Sequence, residues 1–131
     1  MREDLKYPDI EAVKSILVKI GVDPMSRDLN CQDFEYTTCE LQELDAYIKL
    51  YEERETSIYE KRVLGCYFLE CLNEHVSIHN EAHPSQQIAF GLLHSDKDIH
   101  KSELAYWKNT KGRTEDEWWP ITKYLNEWKN T

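Results

Sequence analysis

The sequence predicts an all-α protein, a compact single-domain bundle of about five or six helices over residues 1–131. Three observations predict it. Apolar residues recur at three- and four-residue steps in several separate stretches, and cap-forming residues bracket those stretches. No period-two alternation lasts beyond a few residues, and β-branched residues are scarce outside the helical stripes. A length of 131 residues with 40% hydrophobic content is enough for one domain to close a core, and the apolar residues recur along the whole chain, unlike those of disordered sequences.

From Pro8 to Ile20, the residues Ile10, Val13, Leu17 and Ile20 form one helical stripe, with Pro8 suited to a first turn and Gly21 to a C-cap. Residues 22–36 carry Asp23-Pro24, Ser26, Asp28 and Asn30, all turn formers, and read as a long connection with room for a short helical turn. Thr37 and Glu40 have the spacing of a capping box, and Leu41, Leu44, Ile48 and Tyr51 extend it into a helix over about 38–53. Ile58 through Val76 is the strongest apolar stretch. Val63, Leu64, Cys66, Tyr67, Phe68, Leu69, Cys71 and Leu72 surround it nearly all round, which places it in the middle of the fold. Gly65 within it costs about 1 kcal/mol against alanine and marks close approach by a neighbouring helix.

Pro84 ends or restarts a helix, and Ser85–Leu93 carries Ile88, Ala89, Leu92 and Leu93 on one side. Ser95 and Asp98 can cap the next, which runs through Ile99, Leu104 and Trp107 to a stop near Asn109 and Gly112. Thr114 and Glu117 repeat the capping-box spacing before a last stripe of Trp118, Ile121, Leu125 and Trp128. Pro120 inside that stripe means that the helix starts late or is kinked. Trp118 and Trp128 read as core anchors, which leaves the adjacent Trp119 pointing elsewhere, partly exposed and suited to contacting a partner.

Charge is the most informative part of the composition. The net charge is −9, and residues 28–60 alone hold ten acids against two bases. This balance disfavours nucleic acid and anionic membranes as ligands and makes a basic protein the natural complement. The acids Glu40, Glu43, Asp45, Glu52 and Glu53, with Trp119, are the expected partner-binding residues. No apolar run is long enough to cross a membrane and charges follow the first methionine, so a cytoplasmic protein is expected.

Catalytic and metal-binding signatures are incomplete, and neither a cofactor nor a metal is expected. His75, His79 and His83 are spaced four apart, but Pro84 argues that the helix is ending at His83, and no third and fourth ligand is identifiable. Cys71-Leu72-Asn73-Glu74-His75 has the outline of an inverted zincin motif with cysteine in place of its first histidine, which removes the signature. Cys31, Cys39, Cys66 and Cys71 form no CxxC pair and read as reduced, mostly buried thiols. No nucleophile elbow, phosphate-cradling loop or dinucleotide fingerprint occurs.

The segments Tyr59-Glu60-Lys61-Arg62-Val63-Leu64-Gly65-Cys66-Tyr67-Phe68-Leu69-Glu70, Ile99-His100-Lys101-Ser102-Glu103-Leu104-Ala105-Tyr106-Trp107 and Trp119-Pro120-Ile121-Thr122 resemble small bacterial immunity proteins of contact-dependent growth inhibition and related toxin systems. The likeness lies in aromatic-rich helices and acidic balance over residues 55–131. It implies a cytosolic, non-enzymatic inhibitor that covers the active site of its own toxin domain, such as a basic nuclease. Two other classes stay open: an acidic adaptor or regulatory subunit docking on another basic protein, and a small helical metal-dependent enzyme using the region from His75 to His83.

Overall fold

The computed structural model describes residues 9–30 and 34–128. They form α1 (Ile10–Lys19), α2 (Phe34–Thr37), α3 (Leu44–Tyr51), α4 (Ile58–His79), α5 (Gln86–Ser95), α6 (Lys97–Lys108) and α7 (Thr122–Glu127). Single 3-10 turns occur at Pro24–Ser26, Leu41–Glu43 and Glu115–Glu117. Helix accounts for 69% of the described residues and no strand occurs among them, so the fold is the all-α bundle that the periodicity predicts. α2 is a single turn, and the six longer helices are the expected ones.

α4 is the axis because its sequence is apolar on every side. All residues from Arg62 to Leu69 are buried, and α1, α2, α3, α5 and α6 pack on it. Burial of a side chain such as Phe68, Leu69 or Leu72 contributes about 1.5–3 kcal/mol. A capping box fixes its start: Ser57 Oγ accepts the Glu60 N–H at 3.1 Å, and Glu60 Oε1 accepts the Ser57 N–H at 2.9 Å. Its end comes three residues past Val76, where Asn80 takes the left-handed conformation (φ 56°) and its N–H returns to the Val76 carbonyl at 2.7 Å.

α1 starts at Asp9, whose Oδ1 accepts the Glu11 N–H at 2.9 Å, and it is followed by Gly21 at φ 85°. Pro8 and Cys31 lie outside the described residues.

The helix expected over 38–53 is shorter than its stripe suggests. Thr37 closes α2, Glu40 is extended, and the Thr37–Glu40 box does not form. The Glu40 N–H is instead met by the Tyr47 hydroxyl at 3.0 Å, and Thr38 turns inward to the Phe34 carbonyl at 2.5 Å and the Tyr67 hydroxyl at 2.7 Å. Tertiary partners have replaced the local cap, and α3 begins only at Leu44.

The last stripe also changes phase. The Thr114–Glu117 box forms, but it opens a single 3-10 turn, after which Trp118 is extended (ψ 157°). Trp119 precedes a proline and is thereby disfavoured from helical geometry, so α7 starts two residues beyond Pro120. Trp118 therefore drops out of the stripe. Trp119 packs against the core in its place, together with Trp128 and the fully helical Trp107.

Candidate functional site

The acids of residues 28–60 divide into two sets once folded. Glu43 points inward: Arg27 Nη2 lies 2.8 Å from Glu43 Oε2, and the Tyr47 hydroxyl donates to Oε1 at 2.6 Å. The same guanidinium donates to the Thr38 carbonyl at 2.5 Å and sits 3.5 Å from Glu40 Oε2, so Arg27 latches the turn before α3. Glu60 is buried against Lys19 Nζ and Ser15 Oγ, both at 2.7 Å. Burial alone would raise its carboxyl, but Lys19, the Ser57 N–H and Ser15 outweigh that and hold it at about 2. Arg27 and Lys19 both precede the acidic stretch, so the local excess read from the chain is larger than the excess presented in space.

Asp45, Glu52, Glu53 and Glu55 form the second set. They are exposed, and none has an ion-pair partner among the described residues. Asp45 Oδ1 accepts a hydrogen bond from Ser85 Oγ at 2.8 Å. Glu52 caps the C-terminal end of α3, with Glu53 and Glu55 just beyond, where the helix dipole favours cations. Beside them a cleft of about 420 Å³ between α1 and α3 is lined by Ile20, Ala46, Leu50 and Thr56 together with Lys19, Lys49, Glu53 and Glu55, so its charge is mixed.

Trp119 is half-buried and keeps different company. Its ring lies 5.4 Å from Trp107 and 5.9 Å from Tyr106, both on α6, with the Arg113 guanidinium 5.8 Å above it. Its ring and cation contacts among the described residues involve only α6 and Arg113, so the structure gives no contact joining Trp119 to the acids of α3.

The three histidines come together despite Pro84. α4 ends at His79, the turn through Asn80 reverses the chain, and the His75 ring lies 4.4 Å from His79 and 4.7 Å from His83. They meet as rings rather than as converging lone pairs: His83 Nδ1 is occupied by the Ser85 N–H at 2.9 Å. Among the described residues no group of three His, Cys, Asp or Glu side chains has metal-ligand geometry. Burial first, then His83 and His79, lower the His75 pKa. Cys66 and Cys71 are buried and Cys39 is half-buried, and Arg62 Nη1 donates to Cys66 Sγ at 2.7 Å. Cys39 and burial push the Cys71 thiol up.

Sequence reading missed the buried polar seam between α3, α4 and α6. The Tyr51 hydroxyl lies 2.7 Å from both Asp96 Oδ2 and His100 Nε2. Its one proton goes to the carboxylate, so its oxygen accepts the His100 Nε2–H and leaves Nδ1 as a bare lone pair over Gly65. A Cβ at residue 65 would lie 2.4 Å from that nitrogen, which is the close approach that Gly65 signals. Burial holds the His100 pKa down at about 4, against the pull of Asp96. Alongside, Arg62 Nη2 pairs with Glu103 Oε1 at 3.2 Å, and the Tyr36 hydroxyl donates to Glu103 Oε2 at 2.6 Å. The only sequence signal for this seam was Gly65, because polar residues on buried helix faces have no periodicity of their own.

The fold and these surfaces define a small helical bundle with a hydrogen-bonded polar seam inside and an acidic face outside whose members have no ion-pair partner among the described residues. No protein-family model, curated protein or solved structure matches this chain. Among the described residues no helix is long and apolar enough to cross a membrane.

Proposed function

We propose that this chain is a cytoplasmic immunity protein that binds a basic toxin domain through the outer face of α3 and covers its active site. The observation that carries the reading is the unpaired set Asp45, Glu52, Glu53 and Glu55 on and beside a helix docked rigidly on α4. At the C-terminal end of α3, Glu52, Glu53 and Glu55 are disfavoured by the dipole and by each other, and a cationic partner relieves both terms while its approach is steered. If the toxin is a nuclease, its phosphate-binding groove is itself basic, and an acidic helix laid in it excludes substrate.

Glu43 and Glu40 are committed to Arg27, so Asp45, Glu52 and Glu53 carry the interface in this reading. The test is co-expression with candidate toxin domains, nucleases first, scored by growth. Wild-type protein restores growth, and Asp45→Lys/Glu52→Lys/Glu53→Lys fails to do so while keeping its helical signal. Rescue by the triple reversal equal to wild type would place the interface elsewhere, with the surface at Tyr106 and Trp119 next in line.

A further inference from the structure

We propose that the edge of α6 bearing Lys97, Lys101 and Lys108 is a second docking surface, opposite in charge to the first, which receives an acidic protein helix with an apolar residue over Leu104 and Ala105. At 3.6 residues per turn the three lysines fall within about 40° of one another and span about 16 Å of helix. They border a cleft of about 370 Å³ whose remaining lining is Asp98, Leu104 and Ala105. Among the described residues none of the three has a carboxylate within ion-pair distance, in a chain with 25 acids and only 16 bases.

This edge is built, not merely solvated. Lys108 Nζ donates to His94 Nε2 at 3.1 Å, and His94 Nδ1–H donates in turn to the Phe90 carbonyl at 2.8 Å. The His94 ring is stacked on Trp128 at 4.4 Å, which fixes it. Burial, then Lys108 and Lys97, keep this imidazole below its ordinary pKa, so it remains an acceptor for the Lys108 ammonium. The result is three like charges on one helix edge with Asp98 as the acid beside them and no carboxylate within ion-pair distance among the described residues, an arrangement that an anionic partner stabilises.

A peptide fits this chemistry better than a nucleic acid. The cleft lining holds neither an aromatic ring nor an arginine, the groups that stack on bases. A narrow apolar floor flanked by charge is the form in which a groove reads one amphipathic helix.

The test uses the whole protein and a fluorescein-labelled amphipathic peptide whose glutamates are spaced to meet the three lysines, with a leucine to meet Ala105. Anisotropy at low salt is expected to saturate. The affinity should fall at least about tenfold in Lys97→Glu/Lys101→Glu/Lys108→Glu and stay unchanged in Glu52→Lys/Glu53→Lys. Because Lys108 also holds His94, Lys97→Glu/Lys101→Glu is measured separately and should lose most of the binding with an unaltered melting curve. Absence of saturation, or unchanged affinity in the double reversal, would overturn the proposal. So would displacement by a single-stranded oligonucleotide as effective as that by unlabelled peptide, which would make the edge a general polyanion surface. No toxin enters this experiment, so its outcome is independent of the α3 reading.

Discussion

Inward and outward carboxylates in this bundle behave as two different kinds of group. Glu43, Glu60, Asp96 and Glu103 each meet a named cation or hydroxyl, and each joins two elements that are distant in sequence. Glu52, Glu53 and Glu55 meet no cation among the described residues, while Asp45 meets no cation but takes a hydrogen bond from Ser85 Oγ at 2.8 Å and so stands between the two sets. The first set fixes how the helices dock. The second contributes little to that and is free to act on something outside the molecule.

The sharpest way to break the comparison is to remove an inward carboxylate. Glu103→Ala removes the buried carboxylate that Arg62 Nη2 and the Tyr36 hydroxyl both meet and should cost about 3–5 kcal/mol in urea melts. A loss below about 1 kcal/mol would mean that the seam is ornamental to stability.

Acidification probes the same seam. The His100 pKa is about 4 in the fold and near 6.5 in the unfolded chain, so the unfolded state binds the proton more readily. Its contribution is therefore full above about pH 6.5 and is lost progressively down to about pH 4, amounting to about 3 kcal/mol. His75, lowered by burial and by His83 and His79, has the same sign. Comparing wild type with His100→Asn across that window isolates the term, and parallel pH profiles would refute it.

Filling the notch that admits His100 tests the steric side. Gly65→Ala gains helix propensity but forces its Cβ onto the imidazole, and a net loss of about 1–3 kcal/mol is expected by thermal or urea unfolding. Stabilisation would show that the ring moves away at no cost. The smallest effect belongs to the outward set: Glu52→Lys/Glu53→Lys should change stability by no more than about 0.5 kcal/mol.

How much of this was legible in the chain follows from the range of each interaction. α4 could be read because its apolar residues lie on every side, and Gly21, Gly65 and the Thr114–Glu117 box announced local geometry that the fold retains. The Ser57–Glu60 spacing forms its capping box at the start of α4, whereas the same spacing at Thr37 and Glu40 does not, because Tyr47 and Arg27 supply tertiary partners there. Trp118 was assigned to the core by a helical phase that Pro120 resets. The inward role of Glu43 could not be read at all, because Arg27, sixteen positions earlier, is brought to it only by the fold. Segmental charge therefore located the acidic surface but did not separate its structural members from its free ones.

The arrangement of five helices around α4 has a consequence for how the molecule opens. α1, α2, α3 and α6 each use α4 as their principal wall, and α5 packs on both α4 and α6, so melting α4 removes the wall that most of the bundle shares. Backbone amides from Val63 to Leu72 should exchange with deuterium only through whole-molecule unfolding, at rates that report the global free energy. Those of α7, docked on α6, should exchange through smaller openings that leave the bundle intact. The slowest amides thus provide an internal gauge of stability, against which a bound partner's protection of α3 or α6 can be measured directly.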